Sequence, residues 1–369
     1  MRILLASILA CLPANYTASS LANSAATDAA QAARAASSKA ASFENAILIS
    51  VDGLRADALI AGPPADLPNF QRLRRGASTL NARTDPDWTV TLPNHTAMIT
   101  GRFVEGEDGH HWTKNDDADP GQTLHSNKQS YVAGIFDVAH DNGFETALFA
   151  GKSKFSVYDV SYDEKSGAPD TTGKDDGRDK LDQFVFELDL VKMTDAVIAS
   201  LAKDTHKGKL YFVHFALPDL TGHVSGWDVT LGSKYMKAAA AVDAQIGRIL
   251  DAIEASDRLR GKTAIVQTAD HGGGAPFRSH DQAHMWVDYI IPFSVWTGSD
   301  GEPRDLYAIN AGTRREPGIS QPRRDDKGLP PIRNGESGNL VLMLLGLPAV
   351  PGSTIDAKQD LNVFAPAAR

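Results

Sequence analysis

The sequence predicts an α/β protein, with a mostly parallel central sheet sandwiched by helices in a single large domain with loop insertions. Three observations carry this expectation. Short apolar runs alternate with stretches of helical periodicity, and strands alternating with helices pair in parallel through crossover connections. The runs are continuous rather than alternating, as in strands buried on both faces. The chain of 369 residues is also long enough to enclose a large core, and its 42% hydrophobic and 22% charged residues are those of a globular protein.

In chain order, the opening "MRILLASILACLPANYTASSLANSAA" has one arginine, a short apolar run and then small residues. It reads as an export signal over residues 1–25, because the run is too short to span a membrane. Cys11 is the single cysteine, so no disulfide is expected, and "ILAC" also resembles a lipoprotein cleavage box that would put a lipid anchor on Cys11. Residues 26–44 read as an Ala/Ser-rich spacer, and 45–369 as the folded domain.

"NAILISVDG" (45–53) is the first strand, closed by Asp-Gly. In "TVTLPNHTAMITG" (89–101), Pro93 biases Leu92 toward extended geometry and the spacing after it is helical, which puts Thr91 just before a helix N-terminus. "QSYVAGIFDVAHDNG" (129–143) reads as a helix, "ETALFAG" (145–151) as a strand, and "QFVFELDLVKMTDAVIASLAKD" (183–204) as a helix. "KLYFVHFALPD" (209–219), "KTAIVQTADHG" (262–272) and "IIPFSVWTG" (290–298) are strands, with a helix over 233–256 between the first two. Two irregular insertions, 155–183 and 299–335, are long enough to form lids or binding loops, or plain surface.

Ligands of such sheets bind beyond the carboxyl ends of the strands. The residues behind the apolar runs are Asp52, Lys152 and Lys154, Asp219 and His223, and Asp270 and His271, with His280 or His284 in "SHDQAHMW" to complete the set. Each alone is more often a cap, a turn residue or a packed imidazole. At one edge of one sheet they form the carboxylate and imidazole donors that divalent cations take, and a metal pair can clamp both oxygens of a phosphoryl displacement. A helix N-terminus at Thr91 would favour a phosphoryl group and an ionised hydroxyl, although Thr89, Thr91 or Asn94 could simply cap that helix. The net charge of −9 excludes a surface for tracking nucleic-acid polymers and leaves small phosphorylated metabolites as partners. No membrane span is expected, and the sequence does not specify an oligomeric state.

"SVDGLRAD", "TLPNHTAMITG", "PDLTGHVSG" and "TADHGGG", in that order, resemble the alkaline phosphatase superfamily, most closely its nucleotide pyrophosphatase/phosphodiesterase branch, over about residues 47–298. "NGESGNLVLMLLGLP" is similar to bacterial members as well. The resemblance implies an alkaline phosphatase-like core holding two Zn2+. One would be held by Asp219, His223 and His280, with His284 as the alternative to His280. The other would be held by Asp52, Asp270 and His271, with Thr91 bound beside it. It further implies Thr91 as nucleophile through a phosphothreonine, Asn115 of "GHHWTKN" as a catalytic and substrate-binding amide, and a structural His95; because nucleophile and attacking water must both be deprotonated, an alkaline pH optimum is expected.

Lys152 and Lys154 resemble a Lys-x-Lys pair that other members use to bind substrate carboxylate or phosphoryl oxygens. Three readings stay open: a di-zinc hydrolase of phosphodiester or pyrophosphate bonds; a phosphomonoesterase or phosphonoacetate hydrolase-like enzyme using Lys152 and Lys154; and an inactive metal- or phosphate-binding module. Transferases on the same core usually bring a membrane or cap domain, which is not expected here.

Overall fold

The five apolar runs become the spine of an eight-stranded sheet. The computed structural model describes residues 43–173, 177–205, 207–298 and 302–364. The strands are β1 (Asn45–Val51), β2 (Ala77–Arg83), β3 (Glu145–Ala150), β4 (Gln183–Phe186), β5 (Lys209–Phe215), β6 (Thr263–Thr268), β7 (Ile290–Trp296) and β8 (Arg304–Asp305), in the order β4-β3-β5-β1-β6-β7-β2-β8. Every residue of β1, β5 and β6 is buried, which explains why these runs carry no polar alternation. All neighbours pair in parallel except those of β7, which runs antiparallel to β6 and β2. The link 269–289 therefore makes no crossover, and stays at the carboxyl edge of β6. That keeps Asp270, His271 and His280 on one side of the sheet.

Seven helices of seven residues or more occur among the described residues: α1 (Pro68–Arg74), α2 (Thr91–Thr100), α3 (Ile135–Asp141), α4 (Leu190–Ala202), α5 (Leu217–Ser225), α6 (Lys234–Ala255) and α7 (Glu336–Leu344). In one helical layer α7 packs on β1, β6, α2 and α3; in the other α6 packs on α1, α4 and α5, with α4 against β3 and β5. None of the described helices is long and apolar enough to cross a membrane.

Several boundaries differ from the sequence expectation. The expected helix over 183–204 begins as a strand, because residues 183–186 pair with β3 and the Asp189 side chain caps α4 by accepting from the amides of Val191 and Lys192. The helix expected over 129–143 is confined to α3, where Asp137 reaches back to the Gly134 amide at 2.8 Å. Pro93 does not hold Leu92 extended. It lies in the first turn of α2, where its missing N–H has no helical partner to lose.

The expected export signal, Cys11 and residues 26–42 of the expected spacer lie outside the described residues. Phe43 and Glu44, the last of that spacer, already belong to the fold: their amides donate to the carbonyls of Leu344 and Lys262 at 2.8 and 3.0 Å. The 299–335 insertion adds β8 to the sheet edge. It also docks on the segment before α2, where Arg83 donates to Ser320 O at 2.9 Å and Gln321 to Thr84 Oγ1 at 3.2 Å.

Candidate metal centre and nucleophile

Asp52 directly follows β1 and Asp270 follows β6 by one residue, so adjacent parallel strands deliver two acids to one edge. The third, Asp219, lies in the first turn of α5, behind β5 on the other flank of β1. Gly53 makes the junction possible. Its φ is +68°, a Cβ there would lie 3.0 Å from Asp219 Cα, and its amide donates to Asp270 Oδ1 at 3.0 Å. The glycine run after His271 has a similar cause, since a Cβ at Gly273 would fall 2.2 Å from the Trp227 indole.

The three carboxylates share one pattern. Each has one oxygen engaged and one that is buried without a hydrogen-bond donor. Asp52 Oδ2 takes Lys152 Nζ at 2.7 Å and His214 Nε2 at 2.9 Å, Asp219 Oδ2 takes Lys152 Nζ at 2.6 Å, and Asp270 Oδ1 takes the amides of Gly53 and His271. The oxygens left without a donor are Asp52 Oδ1, Asp219 Oδ1 and Asp270 Oδ2.

Facing them are imidazoles whose tautomer is fixed from behind. The Nδ1–H groups of His271, His280 and His223 donate to the carbonyls of Gly272, Thr89 and Arg278 at 2.9, 2.5 and 3.0 Å. Each ring therefore turns Nε2 toward the acids, the orientation a metal-ligating histidine takes. His271 Nε2 lies 3.1 Å from Asp270 Oδ2 and 3.5 Å from Asp52 Oδ1; His223 and His280 Nε2 lie 3.4 and 3.7 Å from Asp219 Oδ1.

The donor atoms of Asp52, Asp270 and His271 fall within 4.8 Å of one another, and so do those of Asp219, His271 and His280. His271 is thus common to both groups, and His223 joins from the more exposed side. This donor set of hard oxygens and imidazole nitrogens fits divalent cations such as zinc. His284 is exposed and makes none of these contacts. A third group, His140, Asp141 and Asp170, is of another kind: the buried ammonium of Lys180 already bridges Asp141 and Asp170.

The electrostatics show how strongly the cluster draws positive charge. Burial opposes ionisation of Asp52, yet Lys152, His214 and His271 outweigh it and hold this carboxyl well below the usual range. Burial and the Asp52 charge oppose ionisation of Asp219, and Lys152 and His223 prevail there too. Burial and the Asp52 charge raise Asp270. Burial is likewise outweighed at His271, which Asp270 and Asp52 push up to about 9, whereas burial and the nearby His271 take His280 down to about 4.

Thr91 is the first residue of α2, behind an extended Val90. Its Oγ1 lies 3.4 Å from His271 Nε2, and Asn115 Oδ1 accepts from the next amide, Leu92, at 3.0 Å. Asn115 Oδ1 also takes Lys154 Nζ at 2.9 Å. The two donors fix the amide orientation and leave Nδ2 for another partner. Lys152, expected to bind a substrate anion alongside Lys154, is committed instead to Asp52 and Asp219, because its buried ammonium lies between two ionised acids. His95 Nδ1–H donates to Thr91 O at 2.8 Å and its Nε2 accepts from Ser50 Oγ at 2.8 Å, a structural position.

Sequence reasoning missed two residues here. His214, inside the run "KLYFVHF", accepts the Gly151 amide on Nδ1 and so donates Nε2–H to Asp52, the opposite tautomer from the other three. An imidazole in a strand buried on both faces was the available signal. Asn334 Nδ2 donates to Asn94 Oδ1 at 3.0 Å and to Asp270 O at 3.1 Å, so α2 and the Asp270 loop are tied together by a residue 240 positions beyond Asn94. Nothing local marks that contact.

The sequence model of the family described as type I phosphodiesterase / nucleotide pyrophosphatase matches residues 46–293. A 2,3-bisphosphoglycerate-independent phosphoglycerate mutase from Gloeobacter violaceus is 30% identical over 181 residues, 47% of this chain and 28% of the mutase. The mutase of Mycoplasmoides gallisepticum is 28% identical over 102 residues, 27% of this chain and 18% of that protein. The chain therefore spans less than a third of the length of these curated relatives. Among solved structures, the lipoteichoic acid synthase LtaP from Listeria monocytogenes superposes with a TM-score of 0.58 at 13% identity, over 88% of this chain and 76% of that one. A protein of the alkaline phosphatase superfamily from Vibrio parahaemolyticus gives 0.53 at 15% identity, over 89% and 71%. At these identities the likeness is one of fold.

Proposed function

The chain belongs to the type I phosphodiesterase / nucleotide pyrophosphatase family, and from that premise we propose a di-zinc hydrolase that cleaves phosphodiester or pyrophosphate bonds of small metabolites through Thr91. One observation carries the reading: three donor-less carboxylate oxygens and three oriented imidazole Nε2 atoms converge beside a threonine at a helix N-terminus. Asp52, Asp270 and His271 would hold one cation, and Asp219, His223 and His280 the other. The cations would neutralise phosphoryl charge and make the Thr91 hydroxyl and the attacking water acidic enough to react near neutral pH.

The chain's own residues do the rest. Thr91 Oγ1, having lost its proton to solvent, bonds to phosphorus while the bond to the leaving oxygen breaks; that oxygen leaves with the electron pair and is protonated by water. A second water then cleaves the phosphothreonine, returning Thr91 and releasing the phosphate monoester. The α2 N-terminus and the Asn115 Nδ2–H donate to the equatorial oxygens as their charge grows. Since Lys152 is engaged by two acids, one nearby cation, Lys154, remains for a substrate anion. That favours a singly charged diester.

Lys154 also supports the second reading, a phosphomonoesterase or phosphonate hydrolase, because it contacts Asn115, and an ammonium there would lie beside a phosphoryl group held by that amide. The reading includes export through residues 1–25, checked by the N-terminus of the mature protein. The deciding experiment is the ratio of kcat/KM for bis-p-nitrophenyl phosphate and p-nitrophenyl phosphate on zinc-loaded protein. A ratio well above one is expected. A ratio well below one would transfer the assignment to the second reading, and no hydrolysis of either would overturn both.

A further inference from the structure

Resting on the hydrolase reading above, we propose that this site takes substrates whose leaving group is an apolar alcohol, received by a rim formed by Leu220, Val224 and Phe277. The side on which the leaving group departs follows from geometry. Thr91 Oγ1 is 3.4 Å from His271 Nε2, the His271 ring stacks on His280 with centroids 3.5 Å apart, and His223 lies beyond, 5.1 Å from His280. Attacking and leaving oxygens are roughly in line across phosphorus. As the bond from Thr91 Oγ1 to phosphorus forms, the breaking bond points away from Thr91, toward Asp219, His280 and His223. The departing oxygen keeps the electron pair, takes a proton from water and leaves as a neutral alcohol on that side.

His223 opens that side to solvent, its side chain being 44% exposed. Three exposed apolar side chains lie near it. Leu220 and Val224 stand one turn apart on α5, 43% and 69% exposed, and Val224 is the residue after His223. Phe277, 63% exposed, seats its ring on Gly226 at the end of α5, where a Cβ would come within 2.5 Å of it. The carbonyl of the next residue, Arg278, is the acceptor that orients His223.

The Arg278 guanidinium lies over the Phe277 ring at 5.7 Å and extends its flat surface. Scattered exposed apolar residues need no explanation; three around one candidate ligand at the mouth of a site mark a binding surface. A pyrophosphoryl leaving group would call for cations on the side of departure. Neither lysine stands on that side: Lys152 is engaged by Asp52 and Asp219, and Lys154 contacts Asn115, whose Oδ1 accepts the amide that follows Thr91.

The test compares two methyl phosphodiesters whose leaving alcohols have similar acidity, one of naphthol and one of hydroxybenzamide, on zinc-loaded enzyme. The naphthyl ester is expected to have the higher kcat/KM, by about tenfold or more. Phe277→Ser and Val224→Ser should each lower that preference several-fold while leaving metal content unchanged, so that a folding failure of one variant is covered by the other. Equal kcat/KM on the two esters in the parent, or a preference that both variants retain, would overturn this inference and leave the phosphodiesterase reading standing. Hydrolysis of neither ester would overturn the phosphodiesterase reading, and this inference with it.

Discussion

Asp52, Asp219 and Asp270 form one buried cluster of acids, and Glu336, Asp356 and Asp360 form a second cluster around Arg314. The guanidinium of Arg314 reaches all three of its acids, at 2.8, 2.8 and 2.7 Å. Burial outweighs that single cation, so Glu336 and Asp356 are both raised toward the protonated form. In the Asp52 cluster the balance goes the other way, with Asp52 and Asp219 held ionised. Carboxylate oxygens without a donor occur in both places, Glu336 Oε2 and Asp356 Oδ2 among them. Such an atom by itself therefore does not identify a metal site. The distinguishing feature is what faces it: a fixed guanidinium fork in one case, and imidazole Nε2 atoms aimed by backbone carbonyls in the other.

Four experiments bear on this contrast. Thr91→Ala should lower kcat by roughly 10⁴-fold or more with bound metal unchanged, measured by steady-state kinetics alongside metal analysis; loss of the metal as well would make Thr91 structural. Arg314→Met should leave metal content intact but cost about 3–5 kcal/mol of stability, read from urea unfolding, because its acids lose their shared partner. His214→Phe removes the donor to Asp52 Oδ2, and metal affinity measured by chelator competition should fall by about 10–100-fold.

The smallest effect is expected for Glu336→Gln. Burial raises the folded pKa of Glu336 above its unfolded value, so its charged form is the costly one. Its contribution to stability is present at low pH and lost as pH rises beyond the ordinary carboxylate range. The Tm of Glu336→Gln relative to the parent should accordingly rise with pH; a difference that falls would mean that Glu336 is ionised in the fold.

The sequence was most readable where burial was complete. β1, β5 and β6 are continuous apolar runs because they are covered on both faces, and the acids behind them mark the edge at which the site forms. β2 has a register irregularity between Thr79 and Ala82 and a half-exposed, polar pattern, so "ASTLNAR" shows neither period. β4 merges by composition with the helix that follows it, and β8 has only two residues.

Asp52, Asp219, His223, Asp270, His271 and His280 were legible as donors because a site at the carboxyl edge needs such residues there. The resemblance also divided them into two sets of three, but the contacts between the sets were not legible. That Lys152 bridges Asp52 and Asp219, and that His271 is common to both donor groups, depends on distances between segments far apart in the chain.

The contrast between the two clusters comes down to two cations at the Asp52 cluster and none at Arg314. It is tested most directly by metal content per chain, from plasma mass spectrometry of zinc-reconstituted, desalted protein. About two zinc ions are expected in the parent and in Arg314→Met, and about one each in Asp270→Asn and His223→Ala. About one ion or fewer in the parent, or an undiminished content in both ligand variants, would contradict it.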